Sequence, residues 1–292
     1  MKNILKLEKV NKKFTDFQLK DVSFSLERGF VMGFIGKNGA GKTTTLNCII
    51  GISNYDSGEI EILGESNRSH AFCKLKEKIG YVSEESFFYE NFTVAWTGNF
   101  AGKFYSGWDP SLFSEYCRRF ELKQTRKIKE LSKGMKTKLG LAIALSHKAE
   151  LLILDEPSSG LDPEARRDLL DILMEVMESN ECSILFSSHI TADIQKIADY
   201  VCMIDNGRII LCEEKDKLLE NYHFVQLDKK YRNKELDKYL LGCREIKNGY
   251  SALTRDKTAI EKLLKKQNRS ARLFAEKPDL DNLFLHFIGE DK

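Results

Sequence analysis

The sequence predicts an α/β fold, and three apolar runs carry that prediction. The first, FVMGFIG at 30–36, is nearly continuous, ends in a glycine-rich turn and is followed by the helical pattern TTTLNCIIGI. Such a run is typical of a strand buried on both faces of a sheet. Strand, glycine turn and helix in this order indicate an α/β protein. LLILDEP at 151–157 and CSILFSS at 182–188 predict two further buried strands.

The segments around these runs predict further elements in chain order. Apolar and polar residues alternate over 4–10 and 17–26, which predicts two strands. Helical spacing is found at 136–149. Asp162 followed by Pro163 is typical of a helix start, with the aspartate as N-cap and proline at the first helical position.

Changes in apolar spacing and in the density of charged residues predict two domains. We expect an α/β domain at 1–220 with an aromatic-rich helical subdomain inserted at about 86–147. Asp205-Asn206-Gly207 lies between two apolar stretches and predicts a hairpin turn. After about residue 221 charged residues become dense, which predicts a small C-terminal α/β domain at 221–292 and a boundary near 218–223.

The last helix of that C-terminal domain is predicted to start near Pro278 and to stop at Gly289. Its apolar face is expected to comprise Leu280, Leu283, Phe284, Phe287 and Ile288.

Composition excludes several functional classes. The net charge is only +2 and 42% of the residues are hydrophobic, so the chain is not mainly disordered. The same near-neutral balance removes the compositional argument for a nucleic-acid partner, and we expect none. Seven scattered cysteines without a C-x-x-C pair argue for a reducing compartment. No signal peptide and no apolar run of transmembrane length is evident, so we expect the chain not to cross a membrane.

A phosphate-binding loop is the clearest motif. The segment from Gly36 to Thr43 fits G-x-x-x-x-G-K-[ST] at every fixed position and joins a predicted buried strand to a predicted helix. Glycines let backbone N–H groups point at an anion, and the helix N-terminus favours negative charge. Lys42 is expected to reach the β- and γ-phosphates, and the Thr43 hydroxyl to hold Mg²⁺. The loop residues expected to contact nucleotide are Gly36, Asn38, Gly39, Ala40, Gly41, Lys42, Thr43 and Thr44.

Two carboxylates end the second buried strand. Asp155 at the carboxyl edge of that strand is placed to face a Mg²⁺ held by Thr43. The adjacent Glu156 is placed to polarise an attacking water, although a solvated loop carboxylate is the alternative interpretation.

The order of these motifs resembles the ATP-binding subunits of ABC transporters. Leu131-Ser132-Lys133-Gly134-Met135 lies shortly before the LLILDE strand, and this pentapeptide separates that family from other P-loop ATPases. The resemblance covers roughly 1–215 and implies a P-loop NTPase fold of the ABC type. The C-terminal KPDLDNLFLHFIG is similar to the tails of the bacitracin-resistance, sodium-exporter and peptide-exporter group.

The resemblance also implies roles for individual residues. Phe14 matches the aromatic that stacks on adenine, with a strand-end core residue as the alternative and Phe17 as the fallback stacker. Asp155 matches the Mg²⁺-side carboxylate and Glu156 the general base. His189 matches the histidine that contacts the γ-phosphate.

Further matches imply a second ATP-binding chain. Ser132 and Gly134 match positions that contact ATP bound to the opposite subunit, and Ser159 to Asp162 match the loop that touches that subunit. The resemblance therefore implies a homodimer or heterodimer that encloses two ATP.

Three positions depart from the family pattern. Glu84 stands where glutamine is usual; it is expected to bind Mg²⁺ beside the γ-phosphate, with a solvated loop carboxylate as the alternative. Lys133 stands for the commoner glycine of the signature and Met135 for the commoner glutamine.

The aromatic residues of 87–120 have two interpretations. Most are expected to pack within the helical subdomain. The resemblance instead implies a groove beside Glu84 that receives a short helix of a polytopic membrane subunit, with Phe87, Phe88 and Tyr89 as contributors.

The predicted function is an ATPase subunit that powers an ABC exporter of peptides, antimicrobials or drugs, peripheral at the cytoplasmic face of the cell membrane. The alternative is a soluble ABC ATPase of translation or DNA repair, but the chain has one cassette and no long heptad run. A catalytically inactive cassette is disfavoured by the presence of Lys42, Asp155, Glu156 and His189.

Overall fold

Strands and helices follow one another along most of the chain. The computed structural model describes residues 2–84, 88–178, 182–266 and 274–288. It divides into two compact units, Met1–Cys212 and Glu213–Lys292. The elements of the first unit are β1 (Asn3–Lys13), β2 (Gln18–Glu27), β3 (Val31–Ile35), α1 (Lys42–Ile49), β4 (Ser57–Ile62), β5 (Glu65–Ser66), α2 (Phe72–Leu75), β6 (Ile79–Val82), α3 (Val94–Ala101), α4 (Pro110–Arg119), α5 (Lys133–Ser146), β7 (Leu151–Asp155), α6 (Pro163–Glu178), β8 (Ser183–Ser188), α7 (Thr191–Ile197), β9 (Tyr200–Asp205) and β10 (Arg208–Glu214), the last of which runs two residues past the division.

A six-stranded sheet in the order β10-β9-β3-β8-β7-β6 positions the functional residues. The pairs β9–β3, β3–β8, β8–β7 and β7–β6 are parallel. Every residue of β3, β7 and β8 is buried, as expected for central strands covered on both faces. The three apolar runs therefore form the strands that the sequence predicts.

A second, antiparallel sheet in the order β2-β1-β4-β5 shares a core with the first. The alternating residues of β1, β2 and β4 bury one face of that sheet. In the shared core, Phe24 of β2 and Ile60 of β4 belong to the same cluster as Phe34 of β3 and Leu46 of α1. The two N-terminal strands predicted from alternation are confirmed.

The aromatic-rich segment forms α3, α4 and α5. Thr93 and Asp109 accept hydrogen bonds from the first backbone N–H groups of α3 and α4 and so fix where these helices begin. Gly98 gives Phe113 room against α3, because a Cβ there would lie 2.2 Å from the ring. α5 begins at Lys133, three residues before the predicted start, because Ser132 caps it.

Two predicted local signals are confirmed. Asp162 Oδ1 accepts hydrogen bonds from the N–H groups of Glu164 and Ala165 at 3.0 and 2.9 Å, which caps α6. Asn206 and Gly207, between β9 and β10, both have positive φ (46° and 72°), which is the requirement of a type I′ hairpin turn.

The second unit has its own sheet and its own core. Its sheet has the order β12-β13-β11-β14, with every neighbouring pair antiparallel. Its apolar core includes Val225, Leu227, Leu236, Ala252 and Ile260. Its elements are α8 (Lys215–Asn221), β11 (His223–Leu227), β12 (Leu241–Ile246), β13 (Gly249–Thr254), α9 (Lys257–Lys266), β14 (Phe274–Glu276) and α10 (Leu280–Phe287).

The start of the last helix lies where the sequence predicts it. Asp279 caps α10, and Leu280, Leu283 and Phe284 are buried on it. The predicted stop at Gly289 lies outside the described residues.

Candidate nucleotide-binding site

The predicted phosphate loop connects β3 to α1 and wraps around a buried lysine. Gly39 and Gly41 have φ of +79° and +111°, a region that side chains rarely adopt, and Gly41 is the residue before α1. A Cβ at Gly41 would also lie 2.8 Å from the ring of Phe17. Gly36 and Ala40 are buried, whereas Asn38, Gly39 and Thr43 are exposed and Thr44 is half-buried. The exposed residues are the part of the loop open to a ligand.

Lys42 is buried at the centre of the site, with 5% of its surface exposed. Its ammonium donates hydrogen bonds to the carbonyl oxygens of Gly36 at 2.7 Å and Lys37 at 3.2 Å. It also lies 3.0 Å from Glu156 Oε1. The lysine therefore bridges the loop after β3 and the carboxylate after β7.

Asp155, the last residue of β7, is connected to the phosphate loop. Its Oδ1 accepts a hydrogen bond from the Ser187 hydroxyl at 2.7 Å, and Thr43 is also hydrogen-bonded to its carboxylate. Burial raises the pKa of Asp155, and these two hydrogen bonds act in the opposite direction. Thr43 and Asp155, predicted as a metal-side pair, are thus brought together.

Glu156 is held in an uncommon backbone conformation, with φ of +48°. Its N–H donates to the Ser187 hydroxyl at 3.0 Å, and its Oε2 lies 2.7 Å from His189 Nδ1. Its buried Oε1 has the charge contact with Lys42 but accepts no hydrogen bond within the described residues. One oxygen of the carboxylate is therefore hydrogen-bonded to His189, and the other has only the charge contact with Lys42.

His189 follows β8 and is more open than its neighbours. Its side chain is partly exposed, and its backbone N–H also points to Glu156 Oε2, at 3.4 Å. β8 lies between β3 and β7 in the sheet, so the carboxyl ends of three neighbouring strands bring Lys42, His189 and Glu156 together.

Glu84 and the signature residues form a second cluster. Ser132 caps α5, its Oγ accepting from Met135 N at 3.2 Å, and is exposed, whereas Gly134 is buried. Glu84 Oε1 accepts a hydrogen bond from Ser159 Oγ at 2.8 Å and lies 3.5 Å from Lys133 Nζ. The Ser159 hydrogen bond, with the charge of Lys133, lowers the pKa of Glu84.

The two aromatic candidates for a base stacker differ in their surroundings. Phe14 is 45% exposed, whereas Phe17 packs against the core and against Gly41. The rings are 6.3 Å apart, and Lys12 Nζ lies 4.8 Å from the centre of the Phe14 ring. Phe14 therefore has the open face that stacking on a base requires.

Sequence reasoning missed several residues that hold the site. Ser187 joins Asp155 to the backbone of Glu156. Asp193 accepts hydrogen bonds from Ser158 Oγ at 2.7 Å and Arg166 Nε at 2.5 Å. A hydroxyl near the end of an otherwise apolar strand is a sequence signal for Ser187. The sequence around Asp193 has no pattern that predicts its contacts with Ser158 and Arg166.

Comparison with known proteins identifies the family. A family model described as ABC transporter matches residues 19–159. The ATP-binding protein YtrB of Bacillus subtilis is 32% identical over 209 residues, covering 72% of this chain and 71% of YtrB. The linearmycin resistance ATP-binding protein LnrL of the same organism is 30% identical and covers 93% of both chains. This chain belongs to the ATP-binding proteins of ABC transporters.

Other comparisons agree with this assignment. The bacitracin transport ATP-binding protein BcrA of Bacillus licheniformis is 34% identical, covering 80% of this chain and 74% of BcrA. A solved ATP-binding subunit of an ABC transporter is 29% identical, with a TM-score of 0.67 over 74% of this chain and 92% of that one. The predicted family and the P-loop ATPase fold are therefore confirmed.

The assignment establishes the general activity. ABC transporter ATP-binding proteins bind nucleotide and hydrolyse ATP to power transport, so this chain is an ATPase. Such subunits work with membrane components of the transporter. Within the described ranges, this chain itself has no helix that is both long and apolar enough to span a bilayer.

Proposed function

We propose that this ABC transporter ATP-binding protein is the ATP-hydrolysing subunit of an exporter and acts with Glu156 as the general base. The observation that carries the proposal is the chain of contacts from the buried Lys42 through the buried Glu156 to His189. It brings a phosphate-binding ammonium, a carboxylate and a histidine to one edge of the sheet, as hydrolysis of a terminal phosphate requires.

The contacts of Glu156 suggest how ATP prepares the site. Lys42 contacts Glu156 Oε1 in this structure, and a bound β- or γ-phosphate would take over that ammonium. Oε1 would then accept the proton of the attacking water, since it has no hydrogen bond of its own. His189, fixed on Oε2, would orient the carboxylate and contact the γ-phosphate from its exposed side.

We propose Mg²⁺ as the cofactor. Thr43 and Asp155 fit it, because hydroxyl and carboxylate oxygens are its preferred ligands and these two side chains already meet. Glu84 is a third candidate whose carboxylate is occupied by Ser159 and Lys133 in this structure. When bound, Mg²⁺ would neutralise phosphate charge.

A second ATP-binding chain would complete the site. Ser132 lies exposed at the start of the fourteen-residue α5, where a hydroxyl and the helix N-terminus present donors to an anion. We propose that Ser132 and Gly134 contact ATP held on the phosphate loop of an identical or similar chain, so that two chains enclose two ATP.

The membrane component is proposed to dock on an exposed row of aromatic rings. Phe92, Trp96, Phe100 and Phe104 recur every four residues along α3 and its ends, with neighbouring ring centres 3.8, 5.0 and 5.3 Å apart. Tyr89 contacts three of them, and four of the five are at least 36% exposed. Exposed apolar surface of this kind marks interaction sites. Phe87 lies outside the described residues.

The names of the relatives support a proposal for direction and cargo. The names of several concern linearmycin resistance, bacitracin transport and Nod factor export. We therefore propose export of peptides, antimicrobials or drugs by a complex in which this chain is peripheral, at the cytoplasmic face of the cell membrane.

Glu156→Gln tests the proposal. The amide keeps the size of the side chain but is a poor proton acceptor. ATP should still bind, hydrolysis should nearly cease, and ATP should hold the variant as a dimer in gel filtration. Adding Ser132→Arg should return it to a monomer.

Glu220→Gln is the matched control, because it makes the same change at an exposed residue of α8. It should hydrolyse ATP like the wild type. Wild-type turnover in Glu156→Gln would refute the general-base role, and equal dimerisation with and without Ser132→Arg would refute the contact between chains.

A further inference from the structure

Glu84 joins three segments that are far apart in the chain. Its Oε1 is shared by the Ser159 hydroxyl at 2.8 Å and the Lys133 ammonium at 3.5 Å. Glu84 follows β6, Lys133 is the first residue of α5, and Ser159 lies in the loop between Glu156 and α6. One carboxylate oxygen therefore links the signature segment to the loop that carries the proposed general base.

Lys133 also lies against that loop. A Cβ placed on Gly160 would be 3.5 Å from Lys133 Nζ and 3.7 Å from its Cδ. The lysine side chain therefore lies next to the backbone of Gly160, and its ammonium lies 3.5 Å from Glu84 Oε1.

The position of Lys133 needs a nearby negative charge. A cation at a helix N-terminus is unfavourable, because the helix dipole is positive there. α5 has no acidic residue in its first turn. Glu84, from a different segment, supplies the missing charge at 3.5 Å from the Lys133 ammonium.

We propose that Glu84 and Lys133 act as one positioning pair, which holds the loop of Ser159 and Gly160 against the start of α5. Glutamine and glycine, the residues more usual in the family pattern, would carry neither charge. The two departures thus compensate each other. A chain with only one of the two charges should hold the loop less firmly than a chain with both charges or with neither. This inference rests on the proposed ATPase mechanism, since Ser159 and Gly160 carry no reacting atom and act only through their neighbour Glu156.

The pair is expected to act on the reaction without determining the fold. The side chains of Glu84 and Lys133 are 45% and 40% exposed, and exposed ion pairs are weak and screened by salt. Removing one partner should therefore change turnover by only about two- to fivefold.

A double-mutant cycle tests the pair. Glu84→Gln and Lys133→Gln should each lower the ATP turnover number about two- to fivefold at low salt. The double variant should turn over ATP at least as fast as the slower single variant, and all three should melt at nearly the wild-type temperature. In 1 M salt the single variants should approach wild type. If the change in log turnover of the double variant equals the sum of the two single changes, the proposal is overturned.

The matched control uses the next turn of the same helix. Lys136 Nζ lies 3.5 Å from Glu90 Oε1, in a pair whose side chains are 24% and 67% exposed, and Glu90 lies outside the loop of Ser159 and Gly160. Glu90→Gln and Lys136→Gln should show no coupling in turnover. Coupling as large as that of the first pair would overturn the specific role of Glu84 and Lys133.

A second measurement does not depend on turnover. Hydrogen exchange can follow the backbone amides of Ser159 and Gly160, which should exchange faster in Glu84→Gln and in Lys133→Gln than in wild type. Unchanged exchange in both variants would refute the pairing even if the enzyme hydrolyses ATP normally. If instead exchange is faster but Glu156→Gln turns over like wild type, the pair stands and the proposed mechanism fails.

Discussion

Replacing Asp193 by alanine should destabilise the protein strongly, because this carboxylate joins two helices and a loop inside the fold. Asp193, in α7, is only 1% exposed. It accepts hydrogen bonds from Arg166 of α6 at 2.5 Å and from Ser158, in the loop after Glu156, at 2.7 Å. The alanine variant would leave the guanidinium and a buried hydroxyl without their acceptor.

The size of the effect follows from burial. Removing one partner of a buried ion pair costs about 3–5 kcal/mol of unfolding free energy. Arg166 keeps some contact with water, since its side chain is 29% exposed, so the lower end of that range applies. For a domain of this size, about 3 kcal/mol corresponds to a melting temperature lower by about 6–12 °C.

The assay is thermal unfolding followed by circular dichroism, with Asp171→Ala as the matched control. Asp171 pairs with Lys196 at 2.7 Å and also joins α6 to α7, but both side chains are exposed. Its loss should cost at most about 1 kcal/mol. A melting temperature of Asp193→Ala within about 2 °C of wild type would refute the assignment of a buried, structurally required pair.

Three further changes have expected outcomes. Gly98→Ala should lower the free energy of unfolding in urea by about 1–3 kcal/mol, because its Cβ would lie 2.2 Å from the Phe113 ring; a more stable variant would show that the ring moves freely. Asp162→Ala should cost about 1 kcal/mol in the same assay through loss of the cap of α6, and no change would mean that water replaces the cap. Phe104→Ser, at the exposed end of the aromatic row, should reduce co-purification of the membrane component, and full recovery would place the docking surface elsewhere.

Much of the fold could be predicted because its determinants are local. The central strands are continuous apolar runs, and the start of α6 is set by a cap within three residues of the N–H groups it binds. The apolar period predicts a start of α5 three residues late, because the first turn, Lys133 to Lys136, has only one large apolar side chain, Met135, and the helix begins directly after its cap at Ser132. The predicted domain boundary rested on composition, whereas the compact units divide before α8, at 212/213.

The contacts of the site were less accessible to sequence reasoning. Glu84 and Ser159 are 75 positions apart, and only the packing of β6 beside β7 brings their loops together. The ion pair of Lys42 with Glu156 likewise depends on strand order, which no local pattern encodes. Phe14 and Phe17 are both aromatic residues near strand ends, and only the packing of Phe17 on Gly41 separates them.

The strand between the phosphate loop and the two carboxylates acts as a spacer of fixed width. Neighbouring strands lie about 4.8 Å apart, so the ends of β3 and β7, with β8 between them, are separated by about 10 Å. Backbone hydrogen bonds set this width, and side chains can change without altering it. A solved relative shares the fold at 29% identity, so most side chains have been replaced. Most side chains can thus change while the spacing of the strands that carry the phosphate loop and the two carboxylates is kept.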